Sequence, residues 1–465
     1  MYSGIAVSKG IGIGVAKVLK SEQDPAGYSD TKIERQLKLT APGAVLVMTE
    51  LTPYLAGVLK NMSVSAVVCE TGGATSHSAL LVKAMGIPAV YGAEGVTEGI
   101  ADGDTVIVDG INGFVYEKPA PDQIREFSSR KKDYQKDQER LVRFRSMKTE
   151  MACGTECKIF CNVSDHLGVL KMLDNGGEGV GLYRTEHLFL QSDHIPTEEE
   201  QLRTYSTIVK AMDDRPIVIR TLDIGGDKAV PGNYFSFEKE ENPFLGYRGV
   251  RFSLGNRKIF SAQLRALLRA SAYGNVSIMI PMVSCIEEMR EVKSLIYEIC
   301  GELRDEGHEY DEDIKIGTMI ETPSAAAISD MLIHECDFFS VGSNDLVQYT
   351  MAADRGNRNV AYLHSVNQPS VLRLIRSVIK NANDAGKPVS VCGEAASDPM
   401  IIPVLAGFGL RYFSVDPLLV PETRRCLSEW RLDEAQKLAE DVVGLSTAAD
   451  VREYIKVAMR KKSQQ

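Results

Sequence analysis

The sequence predicts an α/β protein: a small N-terminal domain followed by a C-terminal (β/α)8 barrel. Three observations carry this reading. At 465 residues the chain exceeds one ordinary small domain. Its first 118 residues are rich in glycine and valine, with short apolar runs between turns. From Cys157 onward, apolar strand-like runs alternate with helical stretches over about 300 residues, the pattern of repeated β–α units. An open doubly wound sheet is the other arrangement of such units.

In order along the chain, the runs Ala44-Val45-Leu46-Val47-Met48, Val64-Ser65-Ala66-Val67-Val68-Cys69 and Thr105-Val106-Ile107-Val108-Asp109 predict strands of the small domain, 1–118. Gly10-x-Gly12-x-Gly14 is no dinucleotide fingerprint, because Val15 stands where a third glycine belongs; it reads as a turn-rich strand segment. Pro119 and Pro121 open a charged, glycine-free stretch of high helix propensity. It predicts a linker helix within 119–150, or a solvated helix packed on one domain. The barrel is expected over 151–465. Its strands are predicted at Gly179-Val180-Gly181-Leu182-Tyr183, Pro216-Ile217-Val218-Ile219-Arg220, Val276-Ser277-Ile278-Met279-Ile280, Ile314-Lys315-Ile316-Gly317-Thr318-Met319, Phe338-Phe339-Ser340-Val341 and Val389-Ser390-Val391-Cys392. Helices are expected between them, over 260–270 and 368–385.

Composition narrows the function. The 44% hydrophobic and 25% charged fractions are those of a soluble globular chain. A net charge of −10 argues against a general nucleic-acid binder. No apolar run approaches the roughly 20 residues of a membrane span, and no secretory signal is visible, so no membrane partner and a cytoplasmic location are expected. Nine scattered cysteines suit a reducing compartment. Cys153, Cys157 and Cys161, with His166 nearby, match no familiar zinc spacing and read as reduced thiols.

Two groups of residues carry chemistry. The first is Gly72-Gly73-Ala74-Thr75-Ser76-His77-Ser78-Ala79, with a helix expected over 79–85. Such a turn sets His77 at an exposed helix start, where backbone N–H groups and the helix dipole favour negative charge. That suits a histidine that carries a phosphoryl group; it also suits one that merely caps a helix. The second group sits at predicted strand ends, where barrel enzymes keep their catalytic groups. It comprises Arg184, Arg220, Arg248, Glu321, Asn344, Asp345, Arg355 and Cys392. Any one of these could be a surface ion pair. Converging arginines make a site for a multiply charged anion, and the carboxylates of Glu321 and Asp345 could hold Mg2+.

Seven stretches in order resemble the phosphoenolpyruvate-utilising enzymes, most closely enzyme I of the bacterial sugar phosphotransferase system. They are Gly72-Gly73-Ala74-Thr75-Ser76-His77, Gly181-Leu182-Tyr183-Arg184-Thr185-Glu186, Asp223-Ile224-Gly225-Gly226-Asp227-Lys228, Glu241-Asn242-Pro243-Phe244-Leu245-Gly246, Gly342-Ser343-Asn344-Asp345-Leu346, Asp354-Arg355-Gly356-Asn357 and Cys392-Gly393-Glu394. The resemblance implies autophosphorylation of His77 from phosphoenolpyruvate, release of pyruvate, and transfer to an acceptor protein such as HPr. It implies that Arg184, Arg220 and Arg355 surround the substrate, with Asn344 beside the phosphate and Arg248 and Asp345 at the same site. It implies that Glu321 and Asp345 bind Mg2+ and that Cys392 protonates the enolate carbon. It further implies a homodimer through the barrel and a phosphohistidine domain that swivels, with the linker as hinge. One departure is expected to matter: only residues 21–40 fill the place where this family inserts its helical HPr-docking subdomain, so transfer to HPr should be poor or different. A dikinase or phosphoenolpyruvate synthase, which needs a nucleotide-binding domain, and a non-catalytic phosphoenolpyruvate sensor are the alternatives.

Overall fold

A computed structural model describes residues 1–20, 29–60, 62–73, 76–225 and 240–463. The chain divides into two compact units, Met1–Arg140 and Leu141–Gln465.

The first unit holds eight strands: β1 Tyr2–Ser3, β2 Ile5–Ser8, β3 Ile11–Leu19, β4 Ala44–Met48, β5 Val64–Cys69, β6 Ala89–Tyr91, β7 Thr105–Asp109 and β8 Phe114–Glu117. They pair in the order β1-β8-β7-β3-β4-β5-β6-β2. The central strands are apolar on both faces, and their alternation sorts the two cores. Leu46, Met48, Val67 and Cys69 enter one cluster, whereas Val45, Val47, Ala66 and Val68 enter the other. The glycines of Gly10-x-Gly12-x-Gly14 lie at the head of β3 and on it. A Cβ at Gly12 would fall 2.4 Å from that of Ala66, and one at Gly14 would fall 2.3 Å from the Gly43 carbonyl oxygen, so both are there for close backbone approach.

Between β3 and β4 the described residues form one helix, Ser29–Lys38; residues 21–28 of the shortened segment lie outside the described residues. The charged stretch forms the helix Pro121–Val142, followed by a 3-10 turn, Arg143–Arg145. Its first half is anchored on the first unit. Phe127 packs with Ile11 and Ile107 and sits 5.0 Å from the Tyr116 ring, and Arg130 pairs with Asp109 at 3.0 Å.

The second unit is a closed barrel of eight parallel strands: β9 Lys158–Val163, β10 Val180–Arg184, β11 Ile217–Arg220, β12 Val276–Ile280, β13 Lys315–Ile320, β14 Phe339–Gly342, β15 Val389–Cys392 and β16 Tyr412–Val415. Pairing of β16 with β9 closes it and rules out the open sheet. The sequence reading gave no run for these two strands. The expected helices run Arg257–Ser271 and Pro369–Asp384, longer and shorter than expected at their ends by one to three residues. Cys161 lies on β9 in the core and Cys157 just before it; burial pushes the Cys157 thiol up to about 11. Cys153 is exposed. Among the described residues no helix is long and apolar enough to cross a membrane.

Candidate active site

In the first unit, Ser76 caps the helix His77–Ala84, its Oγ accepting from the Ala79 N–H at 3.2 Å. His77 is therefore the first helical residue, two positions earlier than the sequence reading began that helix. A serine at this position satisfies one of the orphan N–H groups that every helix start leaves. Ala74 and Thr75 of the same motif lie outside the described residues.

The second unit gathers the other expected site residues where the barrel strands end. Arg184 is the last residue of β10, Arg220 of β11 and Cys392 of β15; Glu321 follows β13 directly. Asn344 and Asp345 open the helix Ser343–Met351, which starts as β14 ends. Parallel strands end on one side of a barrel, so six residues far apart in sequence share one mouth.

Two guanidinium groups are buried here, each held by carboxylates. Arg220 donates to Glu186 through Nη2 and lies 3.4 Å from Asp223. Its Nη1 reaches the Met319 sulfur at 3.6 Å, and its buried Nε has no partner. Arg248 forks onto Asp223, Nε to Oδ1 at 3.2 Å and Nη2 to Oδ2 at 2.9 Å. Its Nη1 donates to the Tyr349 hydroxyl at 3.1 Å and approaches Asp345 at 3.5 Å. Burial alone would lower both guanidinium pKa values; the surrounding carboxylates outweigh it and drive both up. These arginines stay charged, with orientations set by their partners.

Arg184 and Arg355 differ in being exposed. Arg184 makes no hydrogen bond or ion pair with any described residue, and Arg355 sits 6.0 Å from the Phe244 ring centroid. Asn344 Oδ1 accepts from the Glu394 N–H at 3.1 Å, which turns its amide N–H groups away from that contact.

Glu321 is the most perturbed acid. One carboxylate oxygen accepts from the Met282 N–H at 2.7 Å, while the other is buried without a partner. Burial first, then the negative charges of Asp345 and Asp223, push it up to about 8. Met282 takes a left-handed conformation, φ 60°, to present that N–H. Gly342 leaves the room on the other side, since a Cβ there would sit 2.8 Å from the unpartnered oxygen. An orphaned buried oxygen beside a second carboxylate is a fitting donor set for a hard divalent cation. Among the described residues no three His, Cys, Asp or Glu side chains cluster closely enough to hold a metal unaided. Mg2+ suits such a site, because it binds through one or two carboxylates and completes its shell with water and substrate oxygens.

Cys392 is 2% exposed; its thiol donates to the Val341 carbonyl at 3.4 Å and receives the Ser340 hydroxyl at 3.5 Å. Burial raises its pKa, so it carries its proton at neutral pH.

The sequence reading assigned no role to Glu186, Asp223 or Tyr349. Glu186 and Asp223 stood within the quoted motifs, each three or fewer residues from an arginine. Tyr349 lies four residues after Asp345 on one helix, the spacing that puts both on one face. Gly226, Asp227 and Lys228 of the same motif lie outside the described residues.

Comparison with known proteins places the chain in a family. Residues 138–432 match the family described as PEP-utilising enzyme, PEP-binding domain, and residues 40–113 match PEP-utilising enzyme, mobile domain. The phosphoenolpyruvate-protein phosphotransferase of Staphylococcus carnosus (strain TM300) is 41% identical over 411 residues, 88% of this chain and 71% of that protein. The protein of the same name from Priestia megaterium is 40% identical over 418 residues, 90% of this chain and 73% of that protein.

Proposed function

This chain belongs to the PEP-utilising enzymes of the phosphoenolpyruvate-protein phosphotransferase kind, and from that premise we propose how its own residues carry the reaction. The enzyme performs phosphoenolpyruvate-dependent phosphotransfer. The observation that carries the assignment of roles is the charged mouth of the barrel: two buried, carboxylate-held arginines, two exposed ones, an orphaned glutamate oxygen and a buried protonated thiol at adjoining strand ends.

Arg184 and Arg355 are the exposed cations that meet the incoming phosphate and carboxylate, with Arg220 behind them at fixed orientation. Arg248 acts one step further back. Its fork holds Asp223, and Asp223 in turn helps to hold Arg220. Asn344 offers its amide N–H groups to the phosphate. Glu321 and Asp345 are the residues that would hold Mg2+, which when bound supplies positive charge to the phosphate and the developing enolate.

A neutral ring nitrogen of His77 attacks the phosphorus as the enol oxygen leaves. The imidazole lone pair forms the N–P bond, and the pair of the breaking P–O bond passes to the enolate. Cys392 then gives its proton to the enolate carbon, producing pyruvate, and the thiolate recovers a proton from solvent. Because His77 belongs to the first unit and the mouth to the second, the two must meet during each cycle.

The acceptor is the point of departure. With one short helix, Ser29–Lys38, among the described residues between β3 and β4, transfer to HPr is slow or directed to another protein. We place the enzyme in the cytoplasm, in keeping with its nine unpaired cysteines, and as a homodimer through the barrel. Labelling with radioactive phosphoenolpyruvate tests the central step. Label should appear on the native protein and vanish in His77→Ala; label retained on the variant refutes the assignment. Incubating the labelled protein with HPr tests the acceptor, and rapid complete transfer would refute the departure.

A further inference from the structure

The barrel has a second rim, where its strands begin, opposite the arginine-lined mouth. Residues 145–149, Lys158 at the start of β9, Leu173, residues 176–178, Arg215 before β11 and Arg424 line a groove of about 440 Å3 there. That volume lies within the range of small-molecule sites.

Five cations line the groove, Arg145, Lys148, Lys158, Arg215 and Arg424, against one carboxylate, Glu178. Two of the five are occupied. Arg424 is buried and donates to the carbonyls of Phe144, Arg145 and Gly176 and to the Thr149 hydroxyl. Lys148 pairs with Glu150 and Glu156. Glu178 accepts from the Thr149 hydroxyl and the Ile159 N–H, each at 2.8 Å, and its charge faces Arg424 at 3.9 Å. The side chains of Arg145, Lys158 and Arg215 are exposed and have no hydrogen bond or ion pair with any described residue. The five cations outnumber the carboxylates they face, Glu178 in the groove and Glu150 and Glu156 beside Lys148, in a chain of net charge −10. They raise the local concentration of anions, and guanidinium forks match phosphate oxygens.

We propose that this groove binds a small metabolite through its phosphoryl oxygens. The groove is separate from the phosphoenolpyruvate mouth. One of its walls, residues 145–149, is the chain that leaves the helix Pro121–Val142. A ligand shared by Arg145, Lys158 and Arg215 would add to the hold that Arg424 already has on that segment through the Phe144 and Arg145 carbonyls.

Titration calorimetry of the protein with inorganic pyrophosphate, in metal-free buffer, tests this. Three proteins are compared: the native chain, the triple variant Arg145→Ser, Lys158→Ser, Arg215→Ser, and Arg184→Ser at the mouth. The triple variant is expected to bind pyrophosphate about tenfold more weakly or worse, to keep its labelling by phosphoenolpyruvate, and to lose the protection that pyrophosphate gives against tryptic cleavage after Lys148. Arg184→Ser is expected to keep both the binding and the protection. Thermal melts check that the exposed substitutions leave the fold intact. Equal binding by the native and triple-variant proteins, no binding to the native protein at millimolar pyrophosphate, or loss of binding in Arg184→Ser alone would each overturn the proposal. None of those results bears on the labelling of His77.

Discussion

Asp223 holds two guanidinium groups with one carboxylate, so replacing it with asparagine removes a charge while keeping the shape. The side chains of Asp223 and Arg248 are each 1% exposed, and Arg220 lies 3.4 Å from the same carboxylate. Breaking a buried ion pair from one side costs about 3–5 kcal/mol, because the remaining charge stays buried. Asparagine keeps one acceptor for Arg248, which places Asp223→Asn near the lower end, about 3 kcal/mol. Unfolding entropy near 2.1 cal/mol/K per residue, over the roughly 325 residues of the second unit, amounts to about 0.7 kcal/mol/K. The midpoint should therefore fall by about 4 °C in a thermal melt followed by circular dichroism. The reaction should suffer too, since Arg220 is left with Glu186 as its ion-pair partner among the described residues and with the weak Met319 contact; kcat/KM for phosphoenolpyruvate should drop by about 10²-fold. The double variant Asp223→Leu, Arg248→Met removes both charges and should cost less stability than Asp223→Leu alone. If Asp223→Asn melts within about 1 °C of the native protein and keeps its kcat/KM, the argument that this carboxylate organises the arginines fails.

Cys392→Ala should slow pyruvate formation in a single turnover by about 10²–10⁴-fold, whereas phosphoryl transfer to the protein suffers less; equal losses in both steps would remove Cys392 from the proton-donor role. Gly342→Ala pushes a methyl group against the unpartnered oxygen of Glu321 and should destabilise by about 1–3 kcal/mol while weakening Mg2+ binding; unchanged Mg2+ titration would count against Glu321 as a ligand. Cys153, fully exposed and lowered to about 7 by the Thr155 hydroxyl and the Leu432 N–H, should react with iodoacetamide first. Its rate should rise as pH passes through about 7, while buried Cys157 and Cys161 stay unmodified in the native state; peptide mass mapping of the alkylated protein reads this directly.

Several features were legible from residues alone. Strand runs such as 44–48, 64–69, 105–109, 276–280 and 389–392 coincide with the strands of the structure, because they are rich in Val and Ile and turns end them sharply. The strands β9 and β16 escaped notice. Each carries a polar residue, Asn162 or Ser414, and neither has the Val- and Ile-rich signature of the runs that were recognised.

The arginines, the carboxylates and the thiol were visible as residue types near strand ends, and the two-unit chain as a change in pattern. Their pairings were not visible. That Asp223 serves both Arg248 and Arg220, that Tyr349 reaches the same fork, and that one oxygen of Glu321 is left without a partner all follow from barrel register. Register brings together groups 25 to 101 positions apart. Local sequence sets which face a side chain takes, through the periods of strand and helix. Closure of eight strands into one ring sets which distant side chain it meets, and those meetings determine charge, orientation and protonation at the mouth.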